Sequence, residues 1–384
     1  MKKINLRTLA SILIVAAVSG CGDKSAEVPG TRREDGSADV ARGMLELSRG
    51  NATAAETAFA AAARTCETNL DAQVQLALVR LRLGKAADAQ AAAAAALALC
   101  PESAEARLAH GQAAYLKKDY KTALADFAAV AGEQSLPKTM RASAWASRGV
   151  VELAQNRREE ARISFLHARR LHYRCASAWY HLGVIMRDLY HWDSEARESF
   201  AVAGKMLDAK DERTVKIVRD ILPSLDKSIS AAAASRPGVA SRRPQAAAKL
   251  IAEGRRLQSE KKPASLAVKK YEAAMAADPL SPQAAQCCAE LRAQSAKTSE
   301  EIDKTLAAYH ALIDNDSMKT SHYIDAARFA YKHGRWSTTV AILNRALAHD
   351  PDNRQALDLI VAALRKAGRR ALANEWDAYR SNPN

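Results

Sequence analysis

The chain has 384 residues and a net charge of +14, and 48% of its residues are hydrophobic, with alanine prominent among them. That length exceeds what one compact core usually supports, but a repeat array can reach it because each unit buries surface only against its neighbours. Aromatic residues make up only 5% of the chain, and β-branched runs and hairpin dipeptides are almost absent. The composition therefore excludes a β-rich fold and predicts an all-α protein.

Residues 1–20 have the pattern of a signal peptide. Basic residues precede the apolar stretch Leu9–Val18, which is too short to span a bilayer stably. The ending Val18-Ser19-Gly20-Cys21 resembles a bacterial lipobox, although Val18 replaces the commonest leucine. The resemblance implies cleavage before Cys21, lipidation of its thiol and amine, and, with Gly22 next, sorting to the outer membrane. The alternative is an ordinary secretory signal with Cys21 unmodified.

Residues 21–36 are polar and contain Pro29, Gly30 and Gly36, which predicts a flexible tether after the lipid. Within residues 37–226 one pattern then recurs with a period of 34 residues. Its clearest copies carry Trp145, Gly149, Ala161, Phe165 and Ala168, then Trp179, Gly183, Ala196, Phe200 and Ala203. The two copies differ in spacing only at the turn inside the hairpin, where Tyr190–Asp193 gives the second copy one extra residue. Small residues that let two helices approach, with a phenylalanine filling the remaining space, indicate a packed helical hairpin.

Three earlier copies precede these two. They carry Gly43, Gly50, Ala55, Phe59 and Ala62; Ala77, Gly84, Ala89, Ala93 and Ala96; and Gly111, Lys118, Ala123, Phe127 and Val130. The pattern resembles the tetratricopeptide repeat, whose 34-residue units stack into a solenoid. The resemblance implies that the first helices of the hairpins line a concave surface and that the second helices form the convex one.

The later elements follow the same pattern more loosely. Asp211–Leu222 is amphipathic and is predicted to be a capping helix stopped by Pro223, so that five hairpins and a cap occupy residues 37–226. Residues 227–245 have the composition of a linker, although Ser224–Ser235 could alternatively form a second short cap helix. Residues 246–384 are predicted to be a second tetratricopeptide-like array, which brings the total to eight or nine hairpins.

One apolar stripe along the first helices is a candidate partner-binding groove. It recurs at i, i+4, i+7, and we call it the groove stripe: Val40, Met44, Leu47, Val74, Leu78, Leu81, Leu108, Gln112, Tyr115, Val150, Leu153, Tyr180, Val184 and Arg187. The functional interpretation is a trough for a peptide segment of a partner protein. The alternative is that these residues pack on the neighbouring hairpin.

A second candidate surface is basic. We call it the basic cluster, and it contains Arg157, Arg158, Arg162, Arg169, Arg170 and Arg174. If it faces outward from the convex side, it would attract anionic head groups or polymers. The alternative is a solvated helix face partly balanced by Glu159 and Glu160.

Neither a metal site nor a catalytic site is predicted. His172, Cys175, His181 and His191 are ligand types, but their spacings match no compact motif, so they are expected to be ordinary surface residues. No cofactor is predicted, because the chain contains no Gly-rich phosphate loop, no His-Glu-x-x-His and no Gly-x-Ser-x-Gly.

These patterns together predict a non-catalytic protein-binding scaffold, anchored by lipid to the outer membrane and facing the periplasm. The resemblance implies a place in secretion, pilus or envelope assembly. Proteins or peptide segments are the expected partners, and nucleic acid is not, since an exported protein does not meet it. The alternative function is glycan or anionic-polymer binding at the surface, which rings converging in the groove (Tyr115, Tyr180, Tyr190 and Trp192) would support.

Overall fold

The structure is a computed structural model that describes residues 36–207, 212–235 and 238–381. The predicted signal peptide, Cys21 and almost all of the tether lie outside the described residues. Within that part of the chain there are nineteen α-helices and no strand, which confirms the predicted all-α class. Consecutive helices pair into the hairpins of a tetratricopeptide-like solenoid.

The chain divides into two compact units. The first comprises residues up to Ile185 together with Val202–Val215, and the second comprises Met186–Ala201 and the residues from Lys216 onward. The helices up to the long eleventh one are α1 Ser37–Ser48, α2 Ala52–Thr65, α3 Leu70–Arg82, α4 Ala86–Leu99, α5 Ala104–Leu116, α6 Tyr120–Gly132, α7 Lys138–Ala154, α8 Arg158–Leu171, α9 Ala176–Ile185, α10 Asp193–Met206 and α11 Glu212–Ala234. The rest are α12 Pro244–Ser259, α13 Ala264–Ala277, α14 Pro282–Ser295, α15 Ser299–Asn315, α16 Thr320–Lys332, α17 Trp336–His349, α18 Arg354–Lys366 and α19 Arg370–Ser381.

The repeated glycines of the first unit lie where two helices of one hairpin meet. A Cβ atom built on Gly149 would lie 2.8 Å from the ring of Phe165, which is fully buried. Gly43 has the same relation to Phe59, and Gly111 to Phe127. In the second hairpin both positions are alanines. Ala93 is smaller than the phenylalanine of the other hairpins, and Ala77 is larger than their glycine. The predicted close approach at Gly149 is therefore confirmed.

The hairpins of the second unit use the same packing rule. Helices α12 and α13 pack together, as do α14 with α15, α16 with α17, and α18 with α19. A Cβ on Gly254 would lie 2.5 Å from the ring of Tyr271, so tyrosine here takes the place of phenylalanine. The weakly patterned segment 285–314 also forms a hairpin, and its second helix starts with a capping box between Thr298 and Glu301.

The capping helix is longer than the sequence predicts. Pro223 does not stop α11, which continues to Ala234, so residues 227–234 are helical rather than linker. Pro223 itself is exposed. An exposed proline leaves its ring in solvent and costs only the missing hydrogen bond and a bend, which a long amphipathic helix can tolerate.

The one-residue insertion before the fifth second helix has a local structural cause. Helix α9 ends in a π-helical turn, Met186–Tyr190, and the amide of Trp192 donates to the carbonyl of Met186 at 2.9 Å. His191 has a φ of 57°, in the left-handed region. The extra residue predicted for the turn is thus absorbed as a π-bulge, the usual result of inserting one residue into a helix.

Candidate partner-binding surface

The first helices of the first unit form the side on which a partner can lie against several repeats at once. Helix α3 contacts α5 directly, and α5 contacts α7, in addition to the packing within each hairpin. Helices that approach each other in this way lie on the inner side of a stack. The structure therefore supports the assignment of first helices to an inner face within this unit.

Half of the groove stripe is buried, which corrects the prediction that it forms an open trough. The buried members are Val74, Leu81, Leu108, Gln112, Val150, Tyr180 and Val184, each at most 6% exposed. Val74 packs with Ala96 and Ala106, and Leu81 belongs to the apolar core shared by the first hairpins. For these positions the alternative interpretation, packing on the neighbouring hairpin, is right. The physical reason is the high alanine content, which lets adjacent hairpins close over the larger side chains.

Six members of the stripe in the first unit stay accessible, and we call them the accessible groove residues: Val40, Met44, Leu47, Leu78, Tyr115 and Leu153. Met44 is 49% exposed and the others are half-buried. Burial and the nearby Tyr120 raise the pKa of Tyr115 to about 12, so its hydroxyl remains protonated at neutral pH. The last stripe residue, Arg187, belongs to the second unit and is paired with Asp188 at 2.5 Å.

Two carboxylates occupy equivalent positions at the start of α3 and α5. Asp71 and Glu105 are 34 residues apart, each in the first turn of its helix. Burial, with the charge of Asp71 as a second cause, raises the pKa of Glu105. The 34-residue spacing of these two carboxylates is visible in the sequence, although the predicted groove stripe does not include them. The pair therefore places two carboxyl groups on first helices that also carry accessible groove residues.

The basic cluster does not form one exposed patch. Arg162 and Arg169 are buried, at 1% and 5% exposure, which corrects their predicted outward position. Arg162 pairs with Glu159 at 3.2 Å, and the guanidinium of Arg169 lies 4.6 Å from the centre of the Trp179 ring. Arg158 and Arg174 are exposed, while Arg157 and Arg170 are half-buried. Amphipathic pattern alone cannot predict this, because most of α8 is buried rather than one face of it.

The residues considered as metal ligands are not gathered. Among the described residues no group of three or more His, Cys, Asp or Glu side chains could hold a metal ion. His181 is not at the surface as expected, since it stacks on Phe165 with centroids 4.9 Å apart, and burial lowers its pKa to about 4. Of the helices in the described ranges, none has the length and hydrophobicity needed to cross a bilayer.

The rings considered for sugar stacking differ in exposure and in the rings that they contact. Tyr180 is 1% exposed, and Tyr190 and Trp192 stack on each other with centroids 4.4 Å apart in the second unit. Tyr115 lies in the first unit, 6.2 Å from the ring of Tyr120. Sugar binding by stacking needs exposed ring faces, and Tyr180 offers none.

Comparison with solved structures gives several low-similarity matches. MamA from Desulfovibrio magneticus RS-1 is 20% identical, with 45% of this chain and 95% of that chain covered at a TM-score of 0.38. PilF from Pseudomonas aeruginosa is 20% identical over 53% of this chain and 93% of that chain, at a TM-score of 0.41. A tetratricopeptide repeat protein from Thermus thermophilus is 18% identical over 48% of this chain and 98% of that chain, at a TM-score of 0.40. Similarity at this level implies nothing about partners.

Among curated proteins no sequence matches the chain significantly. One family model does match: the tetratricopeptide repeat, over residues 74–136. That range begins within α3 and runs through α4, α5 and α6, whose buried residues belong to two apolar clusters, each shared between adjacent hairpins. Residues 74–136 are therefore a tetratricopeptide repeat region, within a chain whose described part has a tetratricopeptide-like helical fold.

Proposed function

We propose that this protein is a non-catalytic scaffold that holds a partner protein through the inner face of its first unit, while a lipid on Cys21 anchors it to the outer membrane on the periplasmic side. The family match at residues 74–136 carries the proposal, since tetratricopeptide repeats generally bind proteins or peptides. A role in secretion, pilus or envelope assembly would follow from the anchor and the location.

The surface chemistry supports a peptide rather than a sugar or an anionic polymer. The accessible groove residues are largely aliphatic, and Asp71 and Glu105 add carboxyl groups to two of the same first helices. An anionic polymer would be repelled by these carboxylates, and the burial of Arg162 and Arg169 removes two cations that it would need. A partner segment with apolar side chains and a Lys or Arg would match both features.

The test is site-specific photo-crosslinking in cells from Met44 and Leu78, with Lys121 as the control position. Lys121 is exposed on the second helix α6, away from the inner face. We expect one protein to be crosslinked from both groove positions and not from Lys121, and Leu78→Glu to reduce its capture from Met44 at least tenfold. Circular dichroism of the Leu78→Glu protein should show unchanged helicity. Equal crosslinking from all three positions would contradict the proposed surface.

A further inference from the structure

The second unit contains a cavity of about 490 Å³ that the scaffold function does not use. Its wall is formed by the turn and first residues of α10, by α11, by the loop after α13, by the end of α15 and by α17. The lining residues that matter here are Asp193, Glu195, Ile229, Leu280, Asp314 and Arg345. The volume lies in the range of small-ligand sites, about 300–1,000 Å³.

One lining residue, Glu195, is a buried carboxylate with only one of its two oxygens paired. Glu195 is 3% exposed. Its Oε1 accepts from the Nε of Arg345 at 2.8 Å and lies 3.5 Å from the Nε2 of His349. Its Oε2 is buried and has no hydrogen-bond partner. Burial raises the pKa of Glu195, but His349 and Arg345 lower it more, to about 2, so the carboxylate is ionised.

An ionised carboxylate oxygen can only accept hydrogen bonds, and leaving it unpaired in a buried place is costly. The group that satisfies it must therefore be a donor. The other lining charges favour a positive one. Asp193 and Asp314 are carboxylates, and the guanidinium of Arg345 is already engaged by Glu195 and, at 3.3 Å, by Asp314. His349, 3.5 Å from Glu195, adds a second cation next to this wall. Three carboxylates against Arg345 and His349 still leave a net negative charge, in a chain that is positive as a whole.

The remaining wall suits an alkyl chain and a cation. Ile229, Ala232 and Leu280 offer apolar surface, and Trp192, whose ring stacks on Tyr190, also lines the cavity. A cation over an indole face gains further stabilisation. The hydroxyl of Ser228 donates to Asp193, which ties α11 to the start of α10 and holds these two walls together.

We propose that this cavity is a binding site for an alkyl guanidinium or alkyl ammonium group, with Glu195 and Asp314 as its charge partners. Two sources share this chemistry: an Arg or Lys side chain of a peptide, and a free small amine or guanidine. A metal ion is disfavoured, because no metal-ligating group of three was found among the described residues.

The test is calorimetric titration of the full-length protein with n-butylguanidinium and with its neutral isostere n-butylurea. The peptide arm uses a blocked Ala-Arg-Ala peptide and the same peptide with citrulline in place of arginine. We expect saturable binding of the cation and at least tenfold weaker binding of the neutral isostere, since charge-assisted hydrogen bonds are roughly twice as strong as neutral ones. If the Arg peptide binds more tightly than n-butylguanidinium, the natural ligand is a peptide side chain. If the peptide binds more weakly, the natural ligand is a small molecule.

Two variants, with one matched control, locate the site. Ala232 is exposed at the cavity wall, so Ala232→Trp should fill the opening without disturbing the fold and weaken binding at least tenfold. Ala231→Trp, exposed on the same helix but outside the wall, is the matched control and should bind as the wild type does. Glu195→Gln should weaken binding while circular dichroism checks that it folds. Absence of binding, equal binding of n-butylurea, or unchanged binding by Ala232→Trp would each overturn the proposal and leave the carboxylate as a purely structural ion pair.

Discussion

Complementary residue sizes across each hairpin determine how closely its two helices approach. Where the second helix carries a phenylalanine, as at Phe165, the first helix carries a glycine, and where it carries Ala93 the first helix carries Ala77. The rings are fully buried and have no room to rotate away. The pairing is therefore a packing constraint, which single-residue propensity does not reveal.

We expect Gly149→Ala to lower the free energy of unfolding by about 1–3 kcal/mol, because its Cβ would overlap the Phe165 ring and overpacking costs that much. Chemical denaturation followed by circular dichroism measures the change. In a Phe165→Ala background, which recreates the Ala77–Ala93 situation, the added Cβ should cost little. Gly132→Ala is the control, since nothing lies within 4 Å of its added Cβ. Equal effects at Gly149 and Gly132 would contradict the packing constraint.

A second residue-scale prediction concerns the turn inside each hairpin. Gly50 and Gly84 have φ values of 80° and 75°, and the equivalent residues Lys118 and Asn156 have 65° and 62°. A side chain in the left-handed region costs about 1–2 kcal/mol, and the larger unfolded-state entropy of glycine offsets part of what a change to glycine would gain. Lys118→Gly should therefore raise the free energy of unfolding by about 0.5–1 kcal/mol, measured by thermal and urea denaturation. Gly84→Ala should lower it, and a stabilising Gly84→Ala would refute this explanation.

Helix α11 shows at the element scale how position decides the effect of proline. Pro223 lies inside the helix and removes the donor to the carbonyl of Arg219. Because it is exposed, Pro223→Ala should restore that hydrogen bond without creating a clash. We expect slower amide hydrogen exchange between residues 219 and 227 and a gain of up to about 3 kcal/mol in helix stability. Lys227 is exposed on the same helix, and Lys227→Ala should leave the exchange unchanged. Slower exchange in both variants would contradict a specific effect of the hydrogen bond restored at position 223.

The contact between α10 and α17 should make the stability of the second unit depend on pH. Burial lowers the pKa of His349, but Glu195 and Glu198 raise it more, to about 9, while the pKa of Glu195 falls to about 2. The ring of Tyr323 packs against this histidine, and Arg345 shares Oε1 of Glu195 with it. A raised histidine pKa stabilises the fold fully below its unfolded value of about 6.5, and this contribution is lost as pH rises through 9. The lowered carboxyl pKa stabilises above about 4.3 and is lost as pH falls toward 2.

The pair should therefore stabilise most between about pH 4.3 and 6.5. We expect His349→Gln to lower the free energy of unfolding there by about 2 kcal/mol, because the ion pairs of the imidazolium with Glu195 and Glu198 are lost, and to have little effect near pH 10. Denaturation at several pH values measures the difference between the two proteins. A difference that stays constant from pH 5 to 10 would show that His349 acts by packing rather than by charge.

For the molecule as a whole, the proposed anchor gives a direct prediction. Cys21→Ser should move the protein from the membrane to the soluble fraction, because one side chain would carry the lipid that holds it. Membrane fractionation with metabolic labelling by a fatty acid measures both effects. A Leu153→Ala variant should stay in the membrane fraction and keep its label. If the Cys21→Ser protein remains with the membrane, the anchor is not a lipid on this residue.

The sequence predicted the helical hairpins better than it predicted which groove residues are accessible. The 34-residue spacing of Gly149 and Gly183 predicted the helical hairpins, since helix period and small-residue placement are local properties. The groove stripe was predicted in the correct helices, but Val74 and Leu108 proved buried while Leu78 and Tyr115 remain accessible. Whether a stripe residue is buried or accessible depends on how tightly the next hairpin packs against it. The spacing of the stripe does not predict that packing.

The sequence alone determined the helical class, the period and the pairing of small with large residues, because each depends on neighbours within about one repeat of the chain. Only the tertiary structure decided the burial of Arg162 and Arg169, the continuation of α11 through Pro223, and the meeting of Glu195 with Arg345. Glu195 and Arg345 are 150 residues apart in the chain. No local pattern reports such a contact, because it forms only when separate hairpins pack together.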